Sequence, residues 1–145
     1  MKLTPYVNFP GTCSEALDFY AKHIGAKILA KMTFAQMPAD GAAPQNLPPG
    51  LKPDGIMHAR FMVGESLVMV SDGPAERVEP MRSAYLTLSV DSSEEAERTY
   101  KALTEGGEVF MPIGETFFAH RFGSVRDRYG VLWMIIHERS MQPPA

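Results

Sequence analysis

Few side chains in this 145-residue sequence are equipped to do chemistry. His58 and His120 fall in stretches that read as β-strands, and Glu115 stands just ahead of Phe117 and Phe118. A neutral imidazole can act as general base, general acid or metal ligand. A carboxylate gains basicity when apolar neighbours keep water from it. His58, Glu115 and His120 are therefore the candidate catalytic residues. Two imidazoles and a carboxylate also make a ligand set for a divalent metal, provided their strands converge. The competing reading gives each an ordinary role, as a hydrogen-bonded strand histidine or an edge glutamate in water. His23 and His137, at a predicted helix end and near the chain end, carry little signal. Arg60, Arg121 and Arg126 lie on predicted strands, where one could hold an anionic substrate group or all could be solvated. Cys13 is the only cysteine, so no internal disulfide forms and the cytoplasm is the default compartment. A thiol near a helix start can be activated, but a small buried helix residue is the plainer expectation for it.

The elements that must position these groups begin with residues 115–137, which hold Phe117, Phe118, Phe122, Tyr129 and Trp133. Asp127-Arg128-Tyr129-Gly130 reads as a turn closed by a glycine that accepts φ > 0. The apolar run after it suits a buried strand. The whole stretch thus reads as a hairpin whose aromatics are either core or the lining of a cavity.

Ahead of that hairpin, residues 4–9 read as a short strand. Thr12 and Glu15 fit a capping box for a helix from Cys13 to about Ile24, and Gly25 stands at the C′ position. Ala16, Leu17, Phe19, Tyr20 and Ile24 form its apolar stripe. A second strand is expected at 26–35. Five prolines and two glycines then mark 36–54 as a long irregular loop, a lid if it folds over a cavity mouth. Residues 55–63 and 66–71 read as a hairpin turning at Gly64-Glu65. A proline-containing linker follows. The second half repeats the plan: a strand at 84–90, a helix capped by Ser92 with Glu95 and closed by Gly106-Gly107, a strand at 108–113, and the hairpin. Phe9 to Gly25 and Val90 to Gly106 both span 16 positions, and Phe19 and Tyr100 hold the same place in the two halves. This is a repeat of architecture rather than of letters. Two such sheets can curl around a shared concave surface, the usual place for a ligand.

Net charge is −3 and no basic run appears, which argues against nucleic acid as a partner. No apolar stretch approaches the roughly 20 residues of a membrane helix, and no signal peptide is visible.

The paired βαβββ pattern, with Ala16-Leu17-Asp18-Phe19-Tyr20 ahead of Gly25, resembles the vicinal oxygen chelate superfamily, which includes glyoxalase I, bleomycin-resistance proteins and extradiol dioxygenases. Pro5-Tyr6-Val7-Asn8-Phe9, the block 58–72, Glu115-Thr116-Phe117-Phe118-Ala119-His120 and the block 127–134 resemble its PhnB-like branch. The resemblance implies an α+β fold of two tandem βαβββ modules, about 1–72 and 82–140, forming a curled mixed sheet around a cavity. It implies a cytoplasmic small-molecule-binding protein or enzyme, or a non-catalytic ligand-sequestering protein like those of bleomycin resistance. Tyr6, Tyr85, Phe118, Phe122 and Trp133 are the expected ligand-binding aromatics. A homodimer is expected, since the strands 4–9 and 84–90 carry few charges to protect sheet edges. Carried over by position, the superfamily's metal ligands fall at Pro5, Met69, Tyr85 and Met134. None is a good donor for a divalent ion, so no metal or other cofactor is expected there, and a divalent metal would need the displaced set of His58, Glu115 and His120. A ubiquinone-methyltransferase label attaches to this branch, yet no glycine-rich loop of the kind that holds a nucleotide-like cofactor joins a strand to a helix here.

Overall fold

Alternating burial builds the first sheet. In β1 (Tyr6–Phe9) Val7 and Phe9 are buried while Tyr6 and Asn8 are exposed, the period expected of a strand with one covered face. The computed structural model describes residues 1–38 and 47–140. The chain divides into two compact units, Met1–Glu79 and Pro80–Ala145. In the first unit β1 is followed by α1 (Cys13–His23), β2 (Lys27–Thr33), a short 3-10 turn at Phe34–Gln36, β3 (Ile56–Val63) and β4 (Ser66–Asp72). The sheet order is β1-β4-β3-β2, with β1 parallel to β4 and the other neighbours antiparallel. Helix α1 covers the face that carries Val7, Phe9, Ala59, Phe61, Val68 and Val70, its Tyr20 ring lying 5.9 Å from Phe61.

The second unit repeats the plan with β5 (Leu86–Ser89), α2 (Ser93–Thr104), β6 (Glu108–Gly114), β7 (Ala119–Arg126) and β8 (Leu132–Glu138), in the order β5-β8-β7-β6. The fold is thus α+β, two four-stranded mixed sheets each carrying one helix. Tyr6 pairs with Met69 in one and Thr87 with Met134 in the other, so the repeat read from the sequence holds at the level of register. Gly25 and Gly106, which close the two helices, both have positive φ, as a C′ glycine allows.

Several local expectations change. Thr12 does not cap α1: its Oγ1 makes no hydrogen bond, and the Cys13 N–H donates instead to Asp72 Oδ1 at 2.9 Å. A buried carboxylate from the end of β4 is the stronger acceptor for a helix N-terminus. For α2 the expected Ser92 cap forms, since the Glu95 N–H donates to Ser92 Oγ at 3.1 Å. Of the long loop, residues 39–46 lie outside the described residues, and the lid reading with them. Its described end runs back along the 3-10 turn, where the Phe34 and Ala35 amides donate to the carbonyls of Gly55 and Pro53. No helix among the described residues is long and apolar enough to cross a membrane.

Candidate functional site

Because α1 covers one face of the first sheet, the other face presents Tyr6, Asn8, Met69, Ser71, Arg60 and His58. Register fixes this set: Tyr6 faces Met69, Asn8 faces Ser71, and Arg60 faces Met69 from the other side. Tyr6 Oη lies 3.4 Å from His58 Nδ1, and the two rings are 5.9 Å apart at 35°. Beside them the Ser71 hydroxyl donates to Asn8 Oδ1 at 2.8 Å. Tyr6 is 48% exposed although it is a large ring, and Arg60 is exposed as well. The face therefore offers an aromatic ring, an imidazole, an amide–hydroxyl pair and a cation over a soft floor formed by Met69.

The same positions in the second sheet are less polar. Thr87 and Ser89 stand in the places of Tyr6 and Asn8, Ile136 in that of Ser71, and Phe122, one residue before Gly123, in that of His58. Phe118 packs edge-on against Phe122 at 5.2 Å and against Phe117 at 5.2 Å, and Phe117 is largely in water. Tyr85, just ahead of β5, is half-buried.

The remaining sequence candidates have other surroundings. Trp133 is 2% exposed, and its indole N–H donates to Asp127 Oδ2 at 2.8 Å. It lies among core residues and has no surface left for a ligand. Glu115 is exposed and its carboxylate is paired with the Arg139 guanidinium. Raised basicity needs an apolar site, and Glu115 has a cation and water instead. His120 lies against His137, ring centres 4.8 Å apart. Among the described residues no group of three or more His, Cys, Asp or Glu that could hold a metal ion is seen; His58 belongs to the first unit and Glu115 and His120 to the second. Arg121 and Arg126 bind Glu97 and Glu108, leaving Arg60 as the strand arginine that fits a ligand role. Cys13 is fully buried, and burial pushes its thiol up to about 12, with the Asp72 carboxylate adding to the effect. A thiol so disposed is inert.

The superfamily's metal also finds no fitting donors. The four carried-over positions are Pro5, Met69, Tyr85 and Met134, and the residues directly opposite Met69 and Met134 in the ladders are Tyr6 and Thr87. Pro5 stands just ahead of β1, and its carbonyl accepts from the Met69 amide at 3.0 Å. Across both sets the side chains are Pro or Tyr, Met, Tyr or Thr, and Met, and none supplies the imidazole or carboxylate that a borderline or hard ion takes. Sequence reasoning missed Asn8, Ser71 and the partnership of Tyr6 with His58; strand alternation in 4–9 and 66–71 was the available signal.

Comparison with known proteins agrees with this architecture. A family model described as 3-demethylubiquinone-9 3-methyltransferase matches residues 1–136. Protein YjdN of Escherichia coli K12 is 37% identical over 138 residues, covering 93% of this chain and 94% of that protein. The crystal structure of protein PA1353 from Pseudomonas aeruginosa is 40% identical, with a TM-score of 0.79, and the match covers 95% of this chain and 98% of that one. A glyoxylase/bleomycin resistance protein/dioxygenase domain from Frankia, 13% identical with a TM-score of 0.60 over 96% of this chain and 98% of that one, shares the fold. On the family match and the identity to YjdN, the chain belongs to the PhnB-like family, whose model carries the 3-demethylubiquinone-9 3-methyltransferase description and whose fold is that of the vicinal oxygen chelate superfamily.

Proposed function

We propose that the protein binds a small organic molecule against the open face of the first sheet, with Tyr6 and His58 as the recognition pair. The observation that carries this is the 3.4 Å approach of Tyr6 Oη to His58 Nδ1 on an exposed sheet face. A ligand suited to the face has a planar group for the two rings, hydrogen-bonding atoms for Asn8 and Ser71, and a negative charge for Arg60. Sequestration without turnover is the primary reading. Acid–base chemistry by His58 is the second, favoured by the same contact, since a phenol hydroxyl that fixes an imidazole nitrogen also fixes which nitrogen is free to take a proton.

The test uses benzoate and benzamide, which share shape and differ in charge, titrated into isotope-labelled protein and followed by amide chemical shifts. Benzoate is expected to move amides of β1, β3 and β4, benzamide to move them less, and the Y6A and H58A variants to lose the response. Shifts confined to other strands would overturn the reading.

We also infer a homodimer. The edge strand β6 exposes three consecutive apolar side chains, Val109, Phe110 and Met111, at 44%, 42% and 46%. The edge strand β2 adds Leu29 and Met32. Unprotected apolar edges favour pairing with a second copy, over an area of at least about 1,000 Å². Light scattering through a dilution series should give twice the 16.0 kDa chain mass at micromolar concentration. A mass staying at that of one chain would refute the dimer.

A further inference from the structure

In the β7–β8 ladder Arg121 faces His137 and Ala119 faces Glu138, so His120 is one extra residue on β7. A bulge of this kind re-aims a side chain. Here it sets the His120 imidazole 4.8 Å from that of His137, centre to centre, with the planes 37° apart. The Arg121 guanidinium donates to the His120 carbonyl at 2.7 Å, which pins the bulge, and its charge is answered by Glu97 at 2.7 Å. Both rings reach water, His120 exposed and His137 half-buried. His137 Nδ1 lies 3.1 Å from Ser93 Oγ in the first turn of α2. With the proton on Nδ1 and donated to that hydroxyl, the lone pair sits on Nε2. Metal-binding histidines are oriented by such a second partner.

The separation of the rings is informative. An imidazole bound through nitrogen holds its ring centre about 3.2 Å from a zinc-like ion. Two rings sharing one ion at roughly 90° to 110° stand about 4.5 to 5.2 Å apart. The 4.8 Å observed falls inside that range. Among the described residues no third His, Cys, Asp or Glu completes a group with them. Water would fill the other positions, and imidazole donors select borderline ions over calcium and magnesium.

We propose that His120 and His137 form a two-imidazole site for a borderline divalent cation, such as zinc, nickel or copper, at the bulge of β7. The site stands on the second module alone and does not depend on the ligand face of the first.

Zinc titrated into the full chain at neutral pH, followed by calorimetry, should show one saturable ion per chain. Copper(II) added to the same protein should give an electron paramagnetic resonance spectrum with coupling to two imidazole nitrogens. The variants H120A and H137A should each weaken zinc binding by about tenfold or more and S93A by less, as loss of an orienting partner does. H58A should leave it unchanged. Full affinity in both H120A and H137A, equal weakening in H58A, or no saturation below millimolar zinc would overturn the proposal. If H137A fails to fold, the copper spectrum of the unaltered chain still decides, and fewer than two coupled nitrogens would overturn it.

Discussion

The two modules share strand order and register, yet they place their polar residues differently. In the first, the open face carries Tyr6, Asn8, Ser71, His58 and Arg60. In the second, the corresponding places hold Thr87, Ser89, Ile136, Phe122 and Ser124. The second module's histidines sit elsewhere, at a bulge and on the helix-covered side of β8 where His137 meets Ser93. One architecture therefore supports a polar open face in one copy and a more aromatic one in the other. Register conserves geometry and leaves side-chain chemistry free, which is why function must be argued from each site.

The largest effects are expected where each module depends on one buried carboxylate. Asp127, 3% exposed, accepts from the amides of Tyr129 and Val131 and from the Trp133 indole. Asp72 accepts from the amides of Cys13 and Ile56, joining the start of α1 to the start of β3. Asp127→Ala leaves three donors unanswered and should cost about 3–5 kcal/mol; Asp72→Ala leaves two and should cost about 2–4 kcal/mol. Urea denaturation measures both. A larger loss for Asp72→Ala would mean that long-range tethering outweighs the number of donors satisfied.

Next comes the approach of helix to sheet. Gly123 faces Ile135 in the second module and Ala59 faces Val70 at the same place in the first. A Cβ on Gly123 would lie 2.9 Å from the Tyr100 ring and 3.0 Å from Ile113 Cα, so Gly123→Ala should destabilise by about 1–3 kcal/mol. Ala59→Gly removes a methyl that the first module accommodates, and should cost about 0.5–1 kcal/mol through chain entropy. A neutral Gly123→Ala in thermal denaturation would show that α2 slides more freely on its sheet than the contacts imply.

These two modules also show what the letters alone could carry. The repeat, the hairpin about Asp127 to Gly130 and the closing glycines were legible, because periodicity and turn chemistry are local. Phe19 and Tyr100 were matched by spacing and are equally buried, at 9% each. The helix cap was misread because Asp72 is 59 residues from Cys13 in sequence and nothing local announces it. Glu115 looked basic beside two phenylalanines, but its neighbour in space is Arg139. Trp133 looked like a cavity residue because a hydrophobic strand reads alike on either face. Tyr6 and His58 were each named, while their contact depends on three strands lying in one register.

A smaller effect follows for the Glu115–Arg139 pair. The Glu115 side chain is well exposed and that of Arg139 half-buried, so Glu115→Gln should change stability by no more than about 1 kcal/mol, and less in high salt. Ligand binding at the first module should be untouched. A large loss of benzoate binding in this variant would move the functional face to the second module.

The smallest expected change in stability is also the one that most sharpens the difference between the modules. Tyr6 and His58 touch at 3.4 Å on an exposed face, and a contact that long in water contributes little. Tyr6→Phe keeps the ring and removes only the hydroxyl, so its denaturation midpoint should match the parent within about 0.5 kcal/mol. Its benzoate affinity should nevertheless fall, because the hydroxyl no longer orients His58 toward the ligand. The control is Phe122→Leu, at the place in the second module that His58 holds in the first. It removes an aromatic partner of Phe118 and should cost about 0.5–1.5 kcal/mol while leaving benzoate affinity alone. Residues of a recognition face are expected to separate binding from stability in this way, and residues of a packing face to join them. Should Tyr6→Phe destabilise the chain as much as Phe122→Leu without weakening benzoate, the first face would be packing surface like the second.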